Sequence, residues 1–215
     1  MALASEIIYN IKNLRGGGLQ SDDVDLSDEQ TIFIIDYYRE RLISQEYRKK
    51  RNVLDGLDQS IGRVEVENNV ENYPDLDKNF RITKDIPQLL SLDDGLAVRR
   101  IGQGINTFDY IQQHRAPYVQ FARYTSRAGY FFPYGANKIV LLTGDKSVKK
   151  IPIVGVFKHP LKAIEYKNKE TLKTYNVEYP ISGTHLQIIY EMLMKGEINF
   201  SLVVPEDDAN DGNEA

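Results

Sequence analysis

Ser27-Asp28-Glu29-Gln30 fixes where one long helix begins. A serine followed three residues later by glutamine can close a reciprocal capping box, the hydroxyl accepting from the third helical amide and the amide side chain returning to the serine N–H. Asp28 and Glu29 fall at the positive end of the helix dipole, and Leu26 can staple onto Thr31 or Ile32. The pattern predicts a helix to about Arg51, roughly 35 Å long. Ile32, Ile35, Tyr38, Leu42 and Ile43 mark one face, with Tyr47 at its margin, and Phe33, Ile34 and Tyr37 widen the apolar surface near the start. Arg39, Glu40, Arg41, Glu46, Arg48 and Lys49 make the far half polar, and it closes on Arg48-Lys49-Lys50-Arg51. A helix apolar at one end and charged at the other suits an interface.

The flanking segments follow the same logic. Leu3, Ile7, Ile8, Ile11 and Leu14 recur at helical spacing, which predicts a helix over 4–14 that Gly16-Gly17-Gly18 ends and hinges. From Val53 the period changes. The segments 61–67, 80–84, 96–101, 118–125, 129–135, 138–144 and 151–157 read as strands, with 135–137 turning a hairpin and Pro152 placing its strand at an edge or at a strand start. Residues 107–114 read as a helical turn, and 161–166 leaves helix and strand open. Ser182 caps a predicted helix over 183–193 with Leu186, Ile189, Tyr190 and Leu193 on its apolar face; Gly196 ends it, and a strand-like 198–204 precedes the acidic end.

These elements predict an α+β fold: a helical body formed by the N- and C-terminal helices, a β-rich inserted region, and a flexible acidic C-terminal tail. The expected divisions are 1–56 for the N-terminal helices, 57–175 for the insertion, 176–205 for the helix and strand completing the body, and 206–215 for the tail.

Chemistry is sparse. The 215 residues include no cysteine, which removes disulfides and thiolate metal sites. His114, His159 and His185 stand in unrelated contexts, with no HExxH spacing, so neither metal nor cofactor is expected. Gly16-Gly17-Gly18 follows a helix and lacks the Lys-Ser/Thr of a phosphate loop; Thr143-Gly144-Asp145-Lys146-Ser147 has an aspartate between glycine and lysine; Gly102-Gln103-Gly104 lacks the third glycine of a dinucleotide fingerprint. The acid pairs Asp22/Asp23, Asp93/Asp94 and Asp207/Asp208 lie in loop-like stretches, not across a cleft. No apolar run approaches the roughly 20 residues of a membrane helix, and no secretory leader is evident.

The net charge of −4 argues against general nucleic-acid binding, but it is uneven. Residues 138–173 hold nine lysines against three acids, and the last ten, EDDANDGNEA, hold five acids and no base. Such blocks read as solvated faces or as complementary contacts between subunits. The basic cluster at 48–51 reads as a helix C-terminal charge, as contact with an acidic neighbour, or as phosphate contact. The aromatic stretch 118–134 with Arg123 and Arg127 reads as cross-strand packing or as base stacking.

The run EIIYNIKNLRGGG, the acidic spacer and LSDEQTIFIIDYYRERLISQEYRKKR resemble structural proteins of crAss-like bacteriophages. The matching positions are Ser27, Glu29, Gln30, Ile35, Tyr38, Arg39, Leu42, Ile43 and Gln45, joined by Tyr179-Pro180, a following helix and an acidic end with Asn210-Asp211. Both ends and the β-rich middle take part, though only the first fifty residues are specific. The resemblance implies a non-enzymatic virion protein, an adaptor ring that links the portal to a short tail and lines the DNA channel. Its expected partners are its own copies, twelve in number, the portal protein, further tail or ring proteins, and passing viral DNA without sequence preference. The expected location is the virion connector, after assembly in the host cytoplasm. Arg39, Arg41, Arg48, Lys49, Lys50, Arg51, Asp207, Asp208, Asn210 and Asp211 are the expected partner-interface residues. Another tail ring, a minor capsid component and a phage DNA-binding protein are the alternatives.

Overall fold

A computed structural model describes residues 2–15, 26–50, 56–67, 80–93, 95–103, 106–121, 129–143 and 148–198. In chain order the helices are α1 (Ala4–Arg15), α2 (Asp28–Lys50), α3 (Ala116–Phe121), α4 (Pro160–Asn168) and α5 (Gly183–Met194). The strands are β1 (Gln59–Glu67), β2 (Phe80–Thr83), β3 (Ser91–Leu92), β4 (Gly95–Leu96), β5 (Val98–Gln103), β6 (Asn106–Tyr110), β7 (Gly129–Tyr134), β8 (Lys138–Leu142) and β9 (Lys150–Gly155). The chain divides into two compact units, Met1–Glu46 with Lys173–Ala215, and Tyr47–Leu172.

The second unit overturns the expected fold class. Seven strands close into a barrel in the order β1-β2-β8-β7-β6-β5-β9, and β3 with β4 forms a separate two-stranded sheet. A closed barrel leaves no sheet edge to be covered, so the β segment builds its own core. The fold is a mixed α+β one built around a barrel with few helices, not a helical body carrying an inserted β region.

Alternation along β8 shows how the barrel is filled. Ile139 and Leu141 join Ile61, Val64, Ile101, Phe131, Ile151 and Ile153, drawn from four other strands, in one cluster. Val140 and Leu142 point the other way, joining Phe80, Ile82 and Phe132 beneath Ala116 of α3. Thus β8 is buried on both faces, as its unbroken apolar run requires. On β2 the polar residues at the intervening positions are buried and paired. Arg81 Nη1 donates to the Val148 carbonyl at 3.0 Å, and Thr83 Oγ1 accepts from Ile139 N–H at 3.0 Å.

Three local expectations change. Of the edge or strand start expected for Pro152, the edge is excluded, because β9 pairs with both β1 and β5. Pro152 fits because it lies opposite Arg63, beside a register shift where Gly62 has φ +78° and the ladder is already interrupted. Residues 106–110 are strand, not helical turn, captured by parallel pairing with β7 (Phe108 with Gly129, Tyr110 with Phe131). A Cβ on Gly129 would sit 2.8 Å from the Phe108 ring, so the glycine makes room for that approach. Of the strand expected over 118–125, residues 118–121 belong to a short helix over 116–121 and 122–125 lie outside the described residues; Pro117 sits in that helix's first turn, where a missing N–H costs nothing. The open segment at 161 is helix α4. The Gly135 turn, with φ +63°, joins β7 to β8 as a hairpin. The triple glycine, most of 198–204 and the acidic end lie outside the described residues.

In the first unit, α1 begins against the segment preceding α5: Ala4 N–H donates to Val177 O, and Ser5 N–H to Tyr175 O, both at 2.9 Å. Helix α1 buries Ala4, Ile7, Ile8 and Ile11, and its Asn10 Nδ2 donates to the Tyr190 hydroxyl on α5 at 3.3 Å.

Candidate assembly surface

The capping box closes as the sequence predicts. Gln30 N–H donates to Ser27 Oγ at 3.1 Å, and Ser27 N–H donates to Gln30 Oε1 at 2.9 Å. Lys12 of α1 reaches Asp28 at 2.6 Å, setting the first helix against this end of α2. Ser182 caps α5 by accepting from His185 N–H at 3.1 Å.

The buried stripe of α2 consists of Thr31, Ile34, Ile35, Tyr38, Arg39 and Ile43, with Asp36 beside it. Two charged side chains therefore lie on the inner side. The Tyr179 hydroxyl donates to Asp36 Oδ1 at 2.5 Å, Arg39 Nε donates to the Pro180 carbonyl at 2.8 Å, and the Arg39 guanidinium stands 5.9 Å from the Tyr179 ring centre. Desolvation pulls the Arg39 guanidinium below its ordinary value, opposed by Tyr179, Asp36 and Glu40. Desolvation and the Asp36 charge hold the Tyr179 phenol well above its own. His185 is also buried, its Nε2 2.8 Å from Glu46 Oε2.

The expected interface residues separate on this frame. Arg39 is fully buried and serves the interior of its unit. Arg41 is exposed, with no ion pair among the described residues. Arg48 is exposed and grips Asp93 beside β3 through two bonds, Nε to Oδ2 at 2.7 Å and Nη2 to Oδ1 at 3.1 Å. That contact raises Arg48 and lowers Asp93 from their ordinary values, the hydrogen bond being the larger cause for both. Lys49 is exposed. The Lys50 side chain, Arg51, Asp207, Asp208, Asn210 and Asp211 lie outside the described residues.

Sequence reasoning missed two features here. One is the Asp36–Tyr179 and Arg39–Pro180 network, whose signal was the i,i+3 placement of Asp36 and Arg39 beside Ile35 and Ile43. The other is that Phe33 and Tyr37 face outward, 37% and 45% exposed. Their rings are one turn apart, and Tyr37 meets the buried Tyr38 edge-on at 5.3 Å. Among the described residues, no three His, Asp or Glu side chains are placed to hold a metal ion. No described helix is long and apolar enough to cross a membrane. The Asp58, Arg99, Thr107 and Asp109 side chains border a shallow depression of about 500 Å³ on the barrel, with Arg99 3.4 Å from Asp58.

The model of the family described as "Phage tail ring protein 2" matches residues 6–214. The chain belongs to the crAss-like phage tail ring protein 2 family. No curated protein matches it. Membership makes it a structural protein of a phage tail, part of a ring and so of an oligomer with other tail proteins, and a component of the virion. It points to a non-catalytic role. The match runs through both compact units, so the tail ring protein 2 family includes the barrel as well as the helices.

Proposed function

We propose that this tail ring protein is the adaptor that joins the portal to the tail and lines the DNA channel, as a ring of twelve copies. The observation that carries the reading is the match over residues 6–214 to a tail-ring family, which already requires self-association and contact with other tail proteins. The charge supports a channel role. A net charge of −4 keeps tight phosphate contacts few, so DNA can slide instead of being held. Assembly takes place in the host cytoplasm, and Arg41, the basic end of α2 (Arg48, Lys49, Lys50, Arg51) and the acidic end (Asp207, Asp208, Asn210, Asp211) contact partner chains.

The test is cryo-electron microscopy of intact particles, together with purified chain mixed with portal. Density for twelve copies directly beneath the portal, and a stable complex with it, is the expected result. Density lower in the tail, with no portal binding, overturns the adaptor reading and favours its rival: a ring further down the tail, which the family description equally suits.

A further inference from the structure

The outer face of α2 is an apolar-then-basic strip. Phe33, Tyr37 and Arg41 follow one another at intervals of four residues, all exposed, on the outward side of the helix. Tyr37 is braced by Tyr38, so the strip is a formed surface rather than two loose side chains. Of the two arginines between Asp28 and Glu46, Arg39 is turned inward, which leaves Arg41 as that stretch's outward cation.

The chain holds one segment with the matching order. After Ile198, which is buried in the first unit, the sequence reads Phe200, Leu202, Val203 and Val204, then Pro205, then Glu206, Asp207 and Asp208. From Phe33 to Arg41 is eight helical residues, about 12 Å. From Val204 to Asp207 or Asp208 is about 10–13 Å of extended chain. A Val204 placed on the Phe33–Tyr37 pair therefore carries an aspartate to Arg41. The seventeen residues after Ile198 span up to about 55–60 Å when extended, enough to reach an adjacent molecule. A cyclic ring needs two different, mutually complementary surfaces on each chain. An arm and an outward helix face are such a pair.

We propose that residues 199–208 of one copy dock along the Phe33–Tyr37–Arg41 face of α2 in the next copy, strapping neighbouring subunits together. The proposal rests on the chain forming a ring and not on its contact with the portal.

The absence of cysteine gives a clean probe. Full-length Tyr37→Cys and Val204→Cys chains are mixed under a mild oxidant, and the rate of disulfide dimer formation is followed. The expected rate is at least about tenfold that of Tyr37→Cys mixed with the exposed control Glu170→Cys, since apolar and charge-paired contacts each contribute about a factor of ten. Adding Arg41→Glu to the Tyr37→Cys chain should slow the reaction at least about tenfold, and Asp207→Lys with Asp208→Lys on the Val204→Cys chain should restore it. A rate equal to the control overturns the proposal. So does a concentration-independent disulfide inside a Tyr37→Cys, Val204→Cys double variant, which would place the arm on its own chain. A chain that cross-links as expected yet fails to bind portal keeps this contact and removes the adaptor reading instead.

Discussion

Tyr179→Phe tests whether the polar network behind α2 holds the helical unit together. The substitution removes only the hydroxyl. The ring remains under the Arg39 guanidinium, so the cation–π approach at 5.9 Å survives, and no cavity larger than one oxygen is left. What is lost is the bond to Asp36, a buried carboxylate now one donor short. A hydrogen bond to a charged group is worth about 1.5–3 kcal/mol, and stranding a buried acceptor puts the loss at the upper end of that range. For a chain of this length each kcal/mol moves Tm by about 2–4 °C, so the expected drop is roughly 6–12 °C. Arg39→Met would be a poorer probe, because it removes the Pro180 bond, the charge and the ring contact together.

The assay is urea and thermal unfolding followed by the helical far-UV signal, with Tyr118→Phe as control. Tyr118 is 76% exposed, so the same chemical change there should stay within about 0.5 kcal/mol. A Tyr179→Phe chain as stable as that control would refute the reasoning, because the bond would then contribute nothing beyond what water supplies.

Ser27→Ala removes the hydroxyl that accepts from Gln30 N–H, while the Ser27 backbone N–H keeps its bond to Gln30 Oε1, and should cost about 1 kcal/mol in the same unfolding assay. In the barrel, Gly155→Ala places a Cβ 2.8 Å from the Ala97 carbonyl oxygen and 3.0 Å from Leu89, and should cost about 1–3 kcal/mol; Gly183→Ala, with nothing within 4 Å, should be neutral. Glu65 is lowered from its ordinary value first by its bond to Lys84 and then by Lys150. Its contribution is therefore present above the unfolded carboxyl value and lost as pH falls through the lower folded one. Lys84 is raised, chiefly by the same bond, so its contribution is complete below the unfolded lysine value and lost as pH rises through the folded one. Carboxyl-carbon NMR should show the Glu65 midpoint moving up in Lys84→Met; an unmoved midpoint removes the pair as the cause.

What the sequence disclosed was what short-range chemistry decides. Ser27 and Gln30 close a box within one turn, and Ser182 caps α5, so those helix starts needed no knowledge of the rest of the chain. The barrel was a different matter. Its strands were mostly visible by alternation, but closure depends on pairings such as β1 with β9 and β2 with β8, which join residues scores apart in sequence and leave no local trace. For the same reason 106–110 was misread: Phe108 becomes strand only because Gly129 lets β7 approach. On α2 the error ran the other way. Phe33 and Tyr37 were counted as apolar surface near the start, and Arg39 as an outward charge, because residue type was weighed above angular position. A helix advances 100° per residue. Ile35, Arg39 and Ile43 stay together on that wheel, while Phe33 and Tyr37 fall nearly opposite.

This angular division lets one helix serve two purposes. An inner face made only of Ile34, Ile35 and Ile43 would tolerate rotation by one residue at modest cost, since apolar packing is non-directional. Such a turn would draw Phe33 or Tyr37 inward and strand Asp36 or Arg39 away from Tyr179 and Pro180, whose bonds require specific geometry. The buried polar pair thus fixes the rotation that keeps the aromatic strip outward. The two faces should therefore separate experimentally. Tyr179→Phe, which keeps the Arg39–Pro180 bond and with it the rotation, lowers Tm while leaving the Tyr37–Val204 cross-link rate of the folded chain unchanged, whereas Phe33→Ser leaves Tm within about 3 °C and slows the cross-link. If both substitutions moved both quantities together, the strip would be part of the folding core and could not be held open for a neighbour.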